Sequence, residues 1–165
     1  MQTVEDRIHI RAPQAALFDL AQDYGLRLKW DPFLRAMRFL DGAREAAPGV
    51  RVWVRAWTGL TMTVEYVTVN RPHVVAMRML EGPFFFLQFA GSWRFEAVSD
   101  TGTEVVFRYA FQTRWAWLRW LLDPVIRRVF RRDIRGRLRG LKRAAEKTDI
   151  LRRLGARAAS ISSRS

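Results

Sequence analysis

Hydrophobic positions repeat every second residue at the start of the chain, then at helical spacing, then every second residue again. Val4 to Ala12 alternates: Val4, Asp6, Ile8 and Ile10 lie on one side and Glu5, Arg7, His9 and Arg11 on the other, as in a half-buried strand. Pro13 ends this strand and suits the first turn of a helix, where Ala16, Leu17, Leu20 and Ala21 share one face. A second short helix is expected from about Tyr24 to Trp30. It stops at Asp31-Pro32, because the residue before a proline is pushed out of helical geometry.

From Phe33 the turn signals Asp41-Gly42, Thr58-Gly59, Asn70-Arg71-Pro72, Glu81-Gly82-Pro83 and Asp100-Thr101-Gly102 divide the chain into six strands. These are Phe33 to Leu40, Val50 to Trp57, Leu60 to Val69, His73 to Leu80, Phe84 to Val98 and Thr103 to Thr113. Connections this short allow only antiparallel neighbours. One face is apolar: Leu60, Met62, Val64 and Tyr66; then Phe85, Leu87, Phe89, Gly91, Trp93 and Phe95; then Val105, Phe107, Tyr109 and Phe111. Gly91 in mid-strand marks a bend.

A one-sided sheet needs a cover, and the remaining segment provides one. Asp123-Pro124 reads as an N-cap with proline at the first helical position, and the helix runs to about Lys147. Ile126, Val129, Phe130, Ile134 and Leu141 form its apolar arc; Arg128, Arg132, Arg135, Arg139, Lys142 and Arg143 form the opposite face. Residues 1–149 thus make one α+β domain, a curved antiparallel sheet of about seven strands wrapped around a long helix, with two short helices after the first strand. Residues 150–165 are expected to be a basic, disordered tail.

Charge sharpens this picture. Met1 to Thr113 carries 13 Lys and Arg against 12 Asp and Glu, whereas Arg114 to Ser165 carries 16 against 4. The basic excess therefore belongs to the covering helix and its flanks. No nucleic-acid recognition motif accompanies it, and an anionic membrane surface is the partner class it suits. Seven Trp and eleven Phe supply more large apolar surface than a minimal core needs, enough to line a cavity. The absence of Cys excludes disulfides and thiolate chemistry. With no signal-like run near the start, a cytoplasmic protein is expected.

The chain resembles the START-like, helix-grip superfamily of polyketide cyclases and dehydrases, pollen-allergen-type proteins and lipid carriers. The resemblance covers about Val4 to Lys147. It rests on Ile10-Arg11-Ala12-Pro13, on Phe18-x-x-x-x-Asp23, on Trp30-Asp31-Pro32, on Trp93-Arg94-Phe95-Glu96 with Gly102-Thr103-Glu104-Val105, and on Leu138-x-x-Leu141-Lys142. It implies an apolar cavity between sheet and helix that takes a hydrophobic small molecule or lipid. Some members of the superfamily are cyclases, aromatases or dehydratases using the same cavity.

The ligand-binding candidates are Tyr66, His73, Met77, Phe89, Trp93, Phe107, Tyr109, Val129, Asp133 and Arg137. Tyr66 and Tyr109 are in phase with apolar neighbours, so their hydroxyls need partners. His73 shares a side with Val75, Met77 and Met79, and is either at a cavity rim or a structural histidine. Asp133 and Arg137 fall on the apolar arc beside Gly136 and Gly140. They form either a polar anchor, with the glycines leaving room for a ligand, or an ordinary i,i+4 ion pair. Trp30 is read as a packing residue. Trp53 and Trp57 share a strand side with Arg51 and Arg55, and alternation does not choose their face. Trp115, Trp117 and Trp120 are read as a lid packed on the sheet in preference to a membrane contact. No cofactor and no metal site is expected, since His9 and His73 are too differently placed to make a ligand set.

Overall fold

The computed structural model describes the backbone of residues 1–162 and the side chains of residues 1–156. The elements are β1 (Gln2–Ile10), α1 (Gln14–Gln22), α2 (Tyr24–Trp30), β2 (Leu34–Phe39), β3 (Arg51–Ala56), β4 (Thr61–Asn70), β5 (Val74–Glu81), β6 (Phe86–Ser99) and β7 (Gly102–Thr113). A 3-10 turn (Ala116–Leu118), α3 (Arg119–Lys147) and α4 (Ile150–Ser162) follow. The seven strands form one antiparallel sheet in the order β1-β7-β6-β5-β4-β3-β2. From β2 onward the chain meanders strand by strand, until β7 arrives beside β1. α1 and α2 carry the chain from β1 to β2 at the opposite edge, and α3 lies against β1 and β7.

The inner face of the sheet is the expected one over most of its area. Val64, Tyr66, Trp93, Phe95, Val105, Phe107, Tyr109 and Phe111 are buried, and Ile134, Leu138, Leu141 and Ala144 of α3 complete the core. Asp23 caps α2 by accepting the Leu26 N–H at 2.9 Å, which gives the Phe18-x-x-x-x-Asp23 pattern a physical meaning. Trp30 is buried and meets Trp93 edge-on, with ring centroids 6.2 Å apart.

Several expectations are corrected. At the start of β6 the pairing shifts between Phe86 and Gln88, so Phe86 is buried while Leu87 is exposed and Phe85 only half-buried. A bulge adds one residue and reverses the facing of everything before it. Leu60 lies before β4 begins and is exposed. Pro13 precedes α1 instead of opening it. α3 begins at Arg119, with Pro124 inside the helix, so Asp123 is no cap; its carboxylate accepts the Thr113 hydroxyl at 3.0 Å. Trp53 and Trp57 are on the outer face: Trp57 is exposed, Arg38 stacks over Trp53 at 5.1 Å, and Val52, Val54 and Ala56 turn inward. The segment expected to be a disordered tail is helical over Ile150–Ser162, with Ile150 buried and Leu151 and Leu154 packed on the core; residues 163–165 lie outside the described residues.

Candidate functional site

The site is built around charge in the core. Asp31, at the end of α2, has a fully buried side chain. Its Oδ2 accepts from Nε of Arg27 at 3.2 Å and from Nε and Nη2 of Arg137 at 3.2 and 2.8 Å. Its Oδ1 accepts the Phe33 N–H at 3.1 Å. One carboxylate thus holds two buried guanidinium groups, one from the same helix and one from a helix 106 residues away. Arg27 also donates to the Ala21 carbonyl at 3.0 Å. Aromatic faces complete the setting, with Arg137 lying 4.7 Å from the Phe107 centroid and 4.8 Å from that of Phe33, and both arginines close to Trp93.

The network continues through Tyr109. Arg137 Nη1 donates to the Tyr109 hydroxyl, which donates to Asp133 Oδ2 at 2.8 Å. Burial pushes the Tyr109 phenol well above its ordinary value. Burial also raises the Asp133 carboxyl, an effect the nearby Arg137 charge only partly opposes. For Arg137, burial works against the charged form, but Asp31, Tyr109 and Asp133 around it hold the guanidinium protonated. Asp133 and Arg137 are therefore joined through Tyr109, and the carboxylate partner of Arg137 is Asp31. Neither Arg27 nor Asp31 was among the candidates. The Arg27–Asp31 spacing of four on a short helix was the available signal, but it is ordinary on helices.

A cavity of about 50 Å³ adjoins this network. Its walls are Phe33, Leu34, Met37, Val54, Met62, Val64, Met77, Phe89, Gly91 and Phe107, and its polar end is Arg27, Tyr109 and Arg137. Of the sequence candidates, Met77, Phe89, Phe107, Tyr109 and Arg137 are brought together there. Gly91 borders the Tyr109 ring, and a Cβ at this position would meet it at an ordinary contact distance of 3.5 Å.

The other candidates lie elsewhere. Trp93 is fully buried behind the cavity wall. Tyr66 donates to Gln22 Oε1 at 3.1 Å and is hydrogen-bonded to the Tyr24 hydroxyl, so its partners are side chains of the short helices. His73 is exposed, with Nδ1 3.0 Å from Gln14 Nε2, and is not part of the cavity wall. Val129 is exposed, because the arc that meets the sheet is centred on Ile134 and Leu138 and passes it by. Gly136 and Gly140 do not line this cavity. A Cβ on Gly140 would collide with the Trp30 carbonyl oxygen, so this glycine admits the Trp30-Asp31-Pro32 segment, whereas one on Gly136 would lie at an ordinary contact distance of 3.5 Å from Pro32. Trp117 and Trp120 are 73% and 77% exposed, so they do not form a lid packed on the sheet. No group of residues that could hold a metal ion occurs among the described residues.

Comparison with known proteins agrees with this architecture. A search of curated protein sequences returned no match. Among solved structures, a START superfamily protein from Mycobacterium smegmatis is similar at 9% identity and a TM-score of 0.73, over 88% of this chain and 97% of that one. XoxI from Bacillus cereus matches at 13% identity and 0.72, over 89% and 97%. The Zhui aromatase/cyclase from Streptomyces sp. R1128 matches at 22% identity and 0.67, over 88% and 96%. At such identities the likeness establishes the fold alone. A family model described as polyketide cyclase / dehydrase and lipid transport matches residues 1–146, and the chain belongs to that family.

Proposed function

We propose that the protein binds a compact hydrophobic molecule carrying one acceptor oxygen, with its apolar body against Met37, Met62, Met77 and Phe89 and its oxygen toward Arg137. The observation that carries this reading is the polar end of an otherwise apolar cavity. A guanidinium has five N–H groups, and Arg137 uses three of them on Asp31 and Tyr109. Two remain for a carbonyl or carboxylate oxygen.

Size constrains the ligand. A cavity of about 150 Å³ is what a benzene ring occupies in a protein core, so 50 Å³ must open to receive a ring. Three methionines in the wall supply the means, since unbranched thioether side chains repack at low cost. The test compares an aromatic ketone, 1-acetonaphthone, with 1-ethylnaphthalene by titration of tryptophan fluorescence. The ketone should bind more tightly by about 1.5–3 kcal/mol, the worth of a hydrogen bond to a charged group. Met77→Trp should abolish binding of both by filling the space. Equal affinities, or binding unaffected by Met77→Trp, would sink the proposal.

A second reading is a cyclase or dehydratase reaction in the same cavity, favoured by the Arg137–Tyr109–Asp133 relay. In that reading Tyr109 and Arg137 polarise a substrate carbonyl by hydrogen bonding, and Asp133 orients the Tyr109 hydroxyl. Tyr109→Phe separates the two readings, since it would remove turnover of a poly-β-keto substrate and leave naphthalene binding in place.

A further inference from the structure

The cavity network leaves one large feature unused, the first half of α3 and the turn before it. Trp117, Trp120, Leu121, Val125 and Val129 are all at least half exposed. On α3, Leu121, Val125, Arg128, Val129 and Arg132 fall within an arc of about 100°, taking 100° per residue. That arc lies opposite the one that carries Ile134 and Leu138 into the core. The helix therefore has a second apolar stripe, facing outward and flanked by arginine. Phe84, 72% exposed at the β5–β6 turn, meets Trp115 edge-on at 5.8 Å and brings a third element to the same end of the molecule.

Charge on this surface is unopposed. Arg128 and Arg132 have no ion pair or hydrogen bond among the described residues. The two carboxylates of the segment are occupied, Asp123 by Thr113 and Asp133 by Tyr109. A solvent-open groove of about 1720 Å³ runs along the helix between Trp120, Val125, Arg128, Val129 and Arg132.

We propose that this surface docks on an anionic lipid bilayer, with the indole rings and aliphatic side chains at headgroup depth and the arginines on lipid phosphates. Two features select a bilayer over nucleic acid. Leu121, Val125, Val129 and Phe84 offer aliphatic and phenyl surface, which a sugar-phosphate backbone has no means to bury, whereas the edge of the acyl region does. Tryptophan beside arginine suits an interface that is apolar on one side and wet on the other. No helix among the described residues is long and apolar enough to cross a membrane. The surface is separate from the cavity, and its occupancy does not depend on the cavity ligand.

Sedimentation with vesicles of phosphatidylcholine alone, and of phosphatidylcholine mixed with phosphatidylserine, tests this on the full chain. Binding is expected on the mixed vesicles and should weaken as salt rises. At about 1 kcal/mol per basic residue near an anionic surface, Arg128→Gln with Arg132→Gln should lose roughly thirtyfold in affinity. Trp117→Ser with Trp120→Ser should also bind more weakly. All four positions are exposed, and thermal melts check that the variants keep the fold. Equal binding to both vesicle types overturns the proposal. So does affinity unchanged by the tryptophan pair, which would leave charge alone as the cause, and so does retention of duplex DNA with no vesicle binding.

Discussion

Asp31 shows how a single residue sets the chemistry around it. Two buried guanidinium groups without a counter-ion would not survive in a core, and removing one partner of a buried ion pair typically costs about 3–5 kcal/mol. Burial acts on Asp133 as well. Its carboxyl is raised above the usual aspartate value, so in the folded state it resists ionisation. A raised carboxyl contributes stability that is fully present below its unfolded-state value and is lost as pH rises through its folded one. Asp133→Asn cannot ionise and is spared that loss. The stability of the variant relative to the native protein should therefore increase from acid to neutral pH, as read from urea unfolding at both. Parallel pH profiles would contradict this. Asp133 and Arg137 were visible in the sequence as charges on an apolar arc. Their connection was not, since it runs through Tyr109 and through a carboxylate on another helix.

At the level of elements, the glycines of α3 divide into two kinds. Gly140 is packed under the backbone of Trp30, whereas Gly136 meets Pro32 at ordinary contact distance. Alanine gains up to about 1 kcal/mol of helix propensity at either position. At Gly136 that gain should appear as a small stabilisation. At Gly140 it should be outweighed by overpacking against a backbone atom, for a net loss of about 1–3 kcal/mol. Urea midpoints of the two variants check this, and equal effects would refute it. Alternation revealed all seven strands and the inner face of the sheet. It failed where a single residue changes the phase, as at Leu87 in the β6 bulge, and at Val129, whose apolarity belongs to the outer stripe. The start of α3 was misplaced because Asp123-Pro124 has the composition of a cap, while the helix tolerates Pro124 inside its second turn.

On the scale of the whole molecule, the sheet depends on its first strand. β1 pairs with β7 along its full length, from Gln2 opposite Phe111 to Ile10 opposite Thr103, and supports one side of α3. Without β1, the edge of β7 would be left as a long unpaired strand with apolar residues on its inner face. Deletion of residues 2–10 should give an aggregating product by size-exclusion chromatography. A monomer that melts cooperatively would refute this. The helix-grip architecture was legible because it follows from element order and one-sided faces. The size of the cavity was not, because its 50 Å³ is the difference between large volumes that only packing determines.

The β1–β7 pairing also imposes an order in time. The strand that leaves the ribosome first must wait for the strand made last, since its partner lies about a hundred positions downstream. Contacts so distant in sequence close late and slowly. During synthesis β2 to β6 can pair as they emerge, while β1 waits for β7 and the Asp31 carboxylate waits for its second guanidinium, Arg137, until α3 arrives. The nascent chain therefore passes through a stage with most of its sheet assembled and its polar core incomplete, and this is the stage at which a chaperone would have something to hold.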